Sequence, residues 1–206
     1  MVQTRFLADY RPWPFTVLET RLDVTLSPCG TRVRSALRLS RTGPGDLVLD
    51  GGKGLRTRAI SIDGRTLDEA DLSIGEETLT IGEALLPDSE FTFAADVEID
   101  PQDNTALEGL YLSGGIFCTQ CEAEGFRHIT WYPDRPDVMA PFRVTIRSDL
   151  PVLLSNGNPV AAEPGSAEWH DPWPKPAYLF ALVAGDLRAV SGSFTTMSGR
   201  QVALNV

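Results

Sequence analysis

The side chains of this sequence that could do chemistry crowd into eight residues, CTQCEAEG at 118–125: two thiols, two carboxylates and an amide. Three chemistries compete for them. A structural zinc site needs four ligands, usually two C-x-x-C pairs or one such pair with two nearby histidines. Besides Cys118 and Cys121 the chain offers only Cys29, His128 and His170, and none of these stands at motif spacing to another. A dithiol redox pair needs its first thiol at a helix N-terminus in a βαβ setting, which lowers the thiol pKa. The patterning of this chain provides no such helix. What remains for the thiols is packing inside an ordered loop.

The carboxylates are more suggestive. Glu122 and Glu124 lie two residues apart, so in an extended segment they point the same way. Such a pair can act as acid and base, or it can simply be a solvated face. Gln120 stands at the same offset before Glu122 and would share its face. A carboxylate and an amide oxygen projecting together suit a primary ammonium group, which donates three hydrogen bonds. His128, in EGFRHITWY, reads as a partner-bonded ring among aromatics, and His170, in EWHDPWPKP, lies near a turn and takes no role. No Ser-His-Asp arrangement, Gly-rich phosphate loop or His-Glu-x-x-His occurs.

The elements that must position this loop are strands. FTVLETRLDVTLS (15–27) alternates, turns through Pro28, Cys29 and Gly30, and alternates again in TRVRSALRLSR (31–41), the mark of a hairpin. Further alternating runs fall at 46–50, 55–63, 77–82, 90–100, 142–149, 152–157, 167–171, 177–186, 187–197 and 201–206, with Gly-Gly, Asp-Gly and Pro-Asp punctuation between several of them. Many short strands at regular spacing predict an all-β, antiparallel sandwich or open barrel. Short helices are expected only at 124–132 and 136–139. Segment 101–140 alternates poorly and is expected to be an irregular functional loop region, since long irregular insertions in a sandwich usually carry function.

Composition narrows the partners. With 18 basic against 28 acidic residues, a net charge of −10 argues against nucleic acid and against anionic membranes. The opening MVQTRFLADYRPWPF has no apolar targeting core, and no apolar run approaches the ~20 residues of a membrane span. Three cysteines give no sign of an oxidising compartment, so a cytoplasmic protein is expected. The chain stops at VALNV directly after the turn MSGR, which would suit a piece cut from a longer polypeptide.

NTALEGLYLSGGIFCTQCEAEGFRHITWYPDRPDVMAPF, with LLSNGNPV and DPWPKPAYLFALVAGDL after it, resembles the N-terminal domain of bacterial aminopeptidase N, a family of zinc-dependent gluzincin aminopeptidases. The resemblance is dense over 104–200 and looser over 1–103. It implies that residues 1–206 form a saddle-shaped β-rich domain that packs on a catalytic domain and helps close its active site. The zinc, and the His-Glu-x-x-His that binds it, would belong to that second domain, so this chain would hold no metal and no catalytic residue. The resemblance further implies that Gln120 and Glu122 bind the N-terminal residue of a peptide substrate, Glu122 meeting the free α-amine, and that the Glu122–Ala123 peptide can be cis. Two rivals remain at this stage: a free-standing β-sandwich binding module, and a small metal or redox protein built on Cys118 and Cys121.

Overall fold

Alternation becomes strand wherever one face can be buried. The computed structural model describes residues 6–206; the first five residues of MVQTRFLADYRPWPF lie outside them. In chain order the strands are β1 (Phe15–Thr25), β2 (Thr31–Arg41), β3 (Leu47–Asp50), β4 (Arg56–Ile62), β5 (Arg65–Thr66), β6 (Leu72–Ile74), β7 (Thr78–Ile81), β8 (Glu90–Ile99) and β9 (Gly109–Ser113). They continue as β10 (Ile116–Gln120), β11 (Met139–Arg147), β12 (Val152–Ser155), β13 (Asn158–Glu163), β14 (Ser166–Pro176), β15 (Leu182–Gly185), β16 (Ser191–Thr195) and β17 (Gln201–Asn205). Helical structure among the described residues is limited to single 3₁₀ turns of three residues. The helix expected at 124–132 shortens to the turn Phe126–His128, and 136–139 is a turn at Pro136 and Asp137 that runs into β11 at Met139. Pro133 pushes Tyr132 out of the helical region and so bounds the first segment; the second is taken up by the pairing of β11 from Met139.

Eight strands form one sheet in the order β13-β14-β11-β1-β2-β8-β4-β5, four form β12-β15-β10-β9, and three form β3-β7-β6. Neither small sheet nor the large one closes on itself, so the architecture is an open all-β assembly. Pairing is antiparallel throughout the large sheet except between β1 and β11, which run parallel from Thr20↔Phe142 to Thr25↔Arg147. A bulge in β1 between Val17 and Glu19 switches which parity faces inward. Phe15 and Val17 are buried before it, and Thr20, Leu22 and Val24 after it.

One hydrophobic cluster joins the three sheets. The large sheet contributes Leu37, Phe93, Val97, Phe142 and Ile146, the three-stranded sheet Leu47, Leu49, Leu79 and Ile81, and the four-stranded sheet Leu110, Phe117, Leu182 and Ala184. The opposite face of the large sheet is a lattice of charges, including Arg32–Asp96, Arg56–Glu98 and Arg147–Asp23. Exposed pairs of this kind stabilise little individually. They keep that face soluble and leave the core face to position the loops. The β16–β17 hairpin contributes no residue to the core cluster.

Candidate functional site

The region expected to be irregular contains a hairpin. β9 and β10 pair from Ile116↔Ser113 to Gln120↔Gly109 and are joined through Gly114 and Gly115, whose φ values of 58° and 84° are those of a tight two-residue hairpin turn. β10 also pairs with β15 through Phe117↔Ala184 and Cys118↔Val183, and the Leu182 N–H donates to Thr119 Oγ1 at 2.9 Å. The strand therefore delivers Gln120 to the sheet's end in a fixed place. Immediately after it the chain doubles back. The Gly125 N–H donates to the Cys121 carbonyl at 2.9 Å, and a Cβ on Gly125 would lie 2.3 Å from the Gln120 oxygen. Only glycine permits that approach. Cys121 is buried in the core and pins the loop from below. The Glu122–Ala123 peptide is cis, at the bond the family resemblance had implied.

This geometry changes the relation between Gln120 and Glu122. They are not successive members of one extended face, because β10 ends at Gln120 and Glu122 stands in a turn. Instead the Gln120 side chain folds along the loop, and its Nε2 donates to the Glu122 carbonyl at 3.2 Å. That bond uses the amide's donor end and leaves Oε1 as an acceptor. Glu122 itself is exposed, and among the described residues its carboxylate makes no ion pair. Its neighbours differ: Glu124 lies 3.3 Å from the Arg127 guanidinium, Glu108 lies 3.2 Å from His128 Nε2, and Asp134 lies 3.2 Å from Arg127 Nε. Among the described residues Glu122, unlike Glu108, Glu124 and Asp134, has no side-chain partner for its carboxylate.

Behind the loop lies a charged anchor. Asp134, with a side chain only 2% exposed, accepts from both the backbone N–H and the Nε of Arg127. The Asp134 N–H donates in turn to Asp50 Oδ2 at 3.0 Å, and Asp50 and Tyr132 exchange backbone hydrogen bonds. Burial pushes both Asp134 and Asp50 above the usual carboxylate range, against the pull of Arg127. Arg127 thus ties the loop, through Glu124, to the end of β3 in another sheet. Next to it Phe126 packs edge-on against Tyr132, Phe142 and Phe180, with centroids 4.8, 5.9 and 5.2 Å away. Tyr132 is fully buried and satisfies its hydroxyl on Thr20 Oγ1 at 3.2 Å. A cavity of about 670 Å³ opens beside this anchor, with Lys53, Glu108, Glu124 and His128 in its wall.

The thiols belong to the packing. Cys118 lies opposite Tyr111 in the β9–β10 register, Cys121 is 3% exposed, and all three cysteines are free. Burial pushes the Cys121 thiol up to about 12, far from the thiolate that redox or metal chemistry needs. His128 is bonded to Glu108 as a partnered ring, and His170 sits in mid-strand on β14 opposite Arg143. Sequence reasoning missed Arg127, Asp134 and Asp50. Nothing local in the sequence signals that Asp134 meets a residue 84 positions away.

The fold defines the class first: an all-β domain in which two small open sheets share one core with a large one. Residues 61–179 match the Peptidase M1 N-terminal domain, and the chain belongs to that family. It is 55% identical to aminopeptidase N of Caulobacter vibrioides over 97% of this chain, and 44% identical to aminopeptidase N of Escherichia coli strain K12 over 99% of it. In each case it covers 24% of the relative, so the chain spans about a quarter of the length of the curated relatives it matches. Among solved structures, aminopeptidase A of Legionella pneumophila in complex with aspartic acid superposes with a TM-score of 0.88 at 31% identity, over 98% of this chain and 25% of that one.

Proposed function

We propose that this chain is the non-catalytic, substrate-recognising N-terminal domain of a cytoplasmic zinc aminopeptidase. In it Gln120 and Glu122 bind the free α-amine of a peptide and help close the active site. The observation that supports this reading is the carboxylate of Glu122, carried on a loop fixed at both ends, with no ion-pair partner among the described residues and with the Gln120 amide bonded to the Glu122 backbone carbonyl. An α-ammonium brings three N–H donors and one positive charge. It satisfies both acceptors, whereas an internal peptide offers only one neutral N–H and would leave the carboxylate desolvated without compensation. Selection for chain ends follows from that difference. The residues here do not fit a zinc site: His-Glu-x-x-His does not occur in the 206 residues, and no three His, Cys, Asp or Glu side chains among the described residues form a metal-holding group. The role assigned to this domain therefore ends at the ammonium.

The test is a cycle of two deletions in the full-length enzyme. One deletes the carboxylate by Glu122→Ala, and the other deletes the charge by replacing a competitive dipeptide inhibitor with its N-acetylated form. A charge-assisted contact of about 1.5–3 kcal/mol predicts a roughly 10- to 150-fold loss of inhibition for either deletion, and little further loss for both together. Two independent losses that multiply would refute the contact.

A further inference from the structure

One stretch of surface away from the loop is held in an unusual way. β14 passes β11 with Ala140 opposite Lys175 and Phe142 opposite Asp171, so Pro172, Trp173 and Pro174 stand where a regular ladder has one residue. Trp173 is 76% exposed. A single exposed apolar residue is ordinary, but the base of this bulge is not. Lys175 is 8% exposed, with its ammonium 3.0 Å from Asp171 Oδ2 and 4.0 Å from the centroid of the Phe142 ring. Burial holds that lysine below its usual pKa, with Asp171 opposing the shift. The Trp173 N–H donates to Asp171 Oδ1 at 3.3 Å. From beneath, Gly157 comes so close that a Cβ there would sit 2.5 Å from Asp171 Cα. Prolines on both sides fix φ and remove N–H donors. A lysine is seldom buried unless paired, and what this one closes is a rigid bulge that points an indole outward.

Two more exposed apolar residues stand on the elements that lead from the bulge toward the candidate site. Met139, opposite Pro176, and Leu179, in the 3₁₀ turn Ala177–Leu179, are each 52% exposed. Two residues on, Asn156 holds the chain by donating to the Leu179 carbonyl and accepting from the Ala181 N–H. Leu182 then bonds to Thr119, the neighbour of Gln120. Trp173, Leu179 and Gln120 lie along one tethered path.

We propose that the Trp173 bulge, with Met139 and Leu179, anchors this domain on the remainder of the M1 polypeptide and so fixes where the Gln120–Glu122 loop sits. The proposal rests on the functional reading above. The occupant follows from length: about three-quarters of each curated relative lies outside the part this chain matches. A loop that binds one end of a substrate must be held rigidly against the part that cuts the other side. An exposed tryptophan suits the task, since its large ring loses only two torsions on docking and this residue type dominates contact energy at interfaces.

Hydroxyl-radical footprinting read peptide by peptide tests this on the 206-residue chain and on the full-length enzyme. Trp173 should oxidise at least tenfold more slowly in the full-length enzyme, while the Tyr10 peptide reacts alike in both. Equal rates at Trp173 overturn the proposal. So does protection that appears in the chain alone as its concentration rises, which would make the occupant a second copy. Trp173→Ser supplies the second arm. The melting point of the chain alone should not move, because the indole contacts solvent there, while the full-length enzyme should become several-fold more sensitive to limited proteolysis. Neither readout uses activity. A full-length protein with no aminopeptidase activity would sink the functional reading and leave the footprint to be judged separately.

Discussion

Removing the Arg127 guanidinium probes the anchor of the candidate loop, and its effect has a pH signature that a general loss of packing lacks. In Arg127→Leu the Asp134 carboxylate keeps the backbone N–H of residue 127 at 3.0 Å but loses the Nε contact at 3.2 Å and the positive charge. Its side chain is 2% exposed, so water cannot replace them. Breaking a buried pair from one side costs about 3–5 kcal/mol. The surviving amide bond and the partial exposure of Arg127, 17% at the side chain, lower the expectation to about 2–4 kcal/mol, or roughly 5–15 °C of melting temperature for a chain of this size. The pH dependence follows from the direction of the Asp134 shift. Burial already raises this pKa above its unfolded value, and Arg127 opposes the rise, so the variant raises it further. A carboxyl with a raised folded pKa penalises the folded state fully above that pKa and not at all below the unfolded one. The deficit of Arg127→Leu should therefore be greatest near neutrality and shrink as the pH falls toward about 4. Asp50, raised by burial and also lowered by Arg127, adds in the same direction. Urea unfolding of wild type and variant at several pH values between 7 and 4 measures it. A deficit that does not change with pH would refute the electrostatic account and leave only lost packing.

Two further outcomes follow from the same region. Gly125→Ala should destabilise the chain by about 3 kcal/mol or more in urea melts, because its Cβ would meet the Gln120 oxygen at 2.3 Å, Cys121 Cα at 2.9 Å and Gly109 N at 3.0 Å, all backbone atoms; a loss under about 1 kcal/mol would mean that the loop can open without harm. Asp137 is held down to about 2, first by the hydrogen bonds from Arg135 and also by the Tyr10 hydroxyl. Its contribution is present above about pH 4 and is lost as the pH falls through 2, so Asp137→Asn should flatten that part of the stability profile by on the order of 1 kcal/mol, a figure kept small by solvent exposure.

Strands were most directly legible where burial alternates, although β16 and β17 were read at 187–197 and 201–206 with almost no burial. β2 buries every second residue from Thr31 to Leu39, and the turn before it carries Gly30 at a φ of 76°, so the sequence could be read directly. β10 buries only Phe117 fully, and β13 buries nothing, so neither leaves a period to detect, although both pair in register. The same limit applies to the loop. Two acceptors spaced for one extended face were visible in the sequence, but the return of the chain at Gly125 places Glu122 in a turn and sends the Gln120 amide back along it.

Residue type alone could not single out Glu122. The chain carries 28 acidic residues against 18 basic ones, so some acids must lack a partner, and an unpaired surface carboxylate is by itself unremarkable in such a protein. Position makes the difference. Around this loop Arg127 is already committed to Glu124 and Asp134, and the His128 ring to Glu108. Those pairs do two things together: they hold the loop still and they leave no local cation to compete for Glu122. The backbone that carries Glu122 is fixed while its exposed carboxylate stays solvated, so an arriving partner finds the loop already ordered and has only the side chain's own rotamers to immobilise. Adding a lysine within reach, by contrast, would satisfy Glu122 internally and abolish its use. On the proposed reading, the ion pairs of the loop therefore serve the amine contact as much as the two acceptors do, and Arg127→Leu, which tests the anchor, also tests that link.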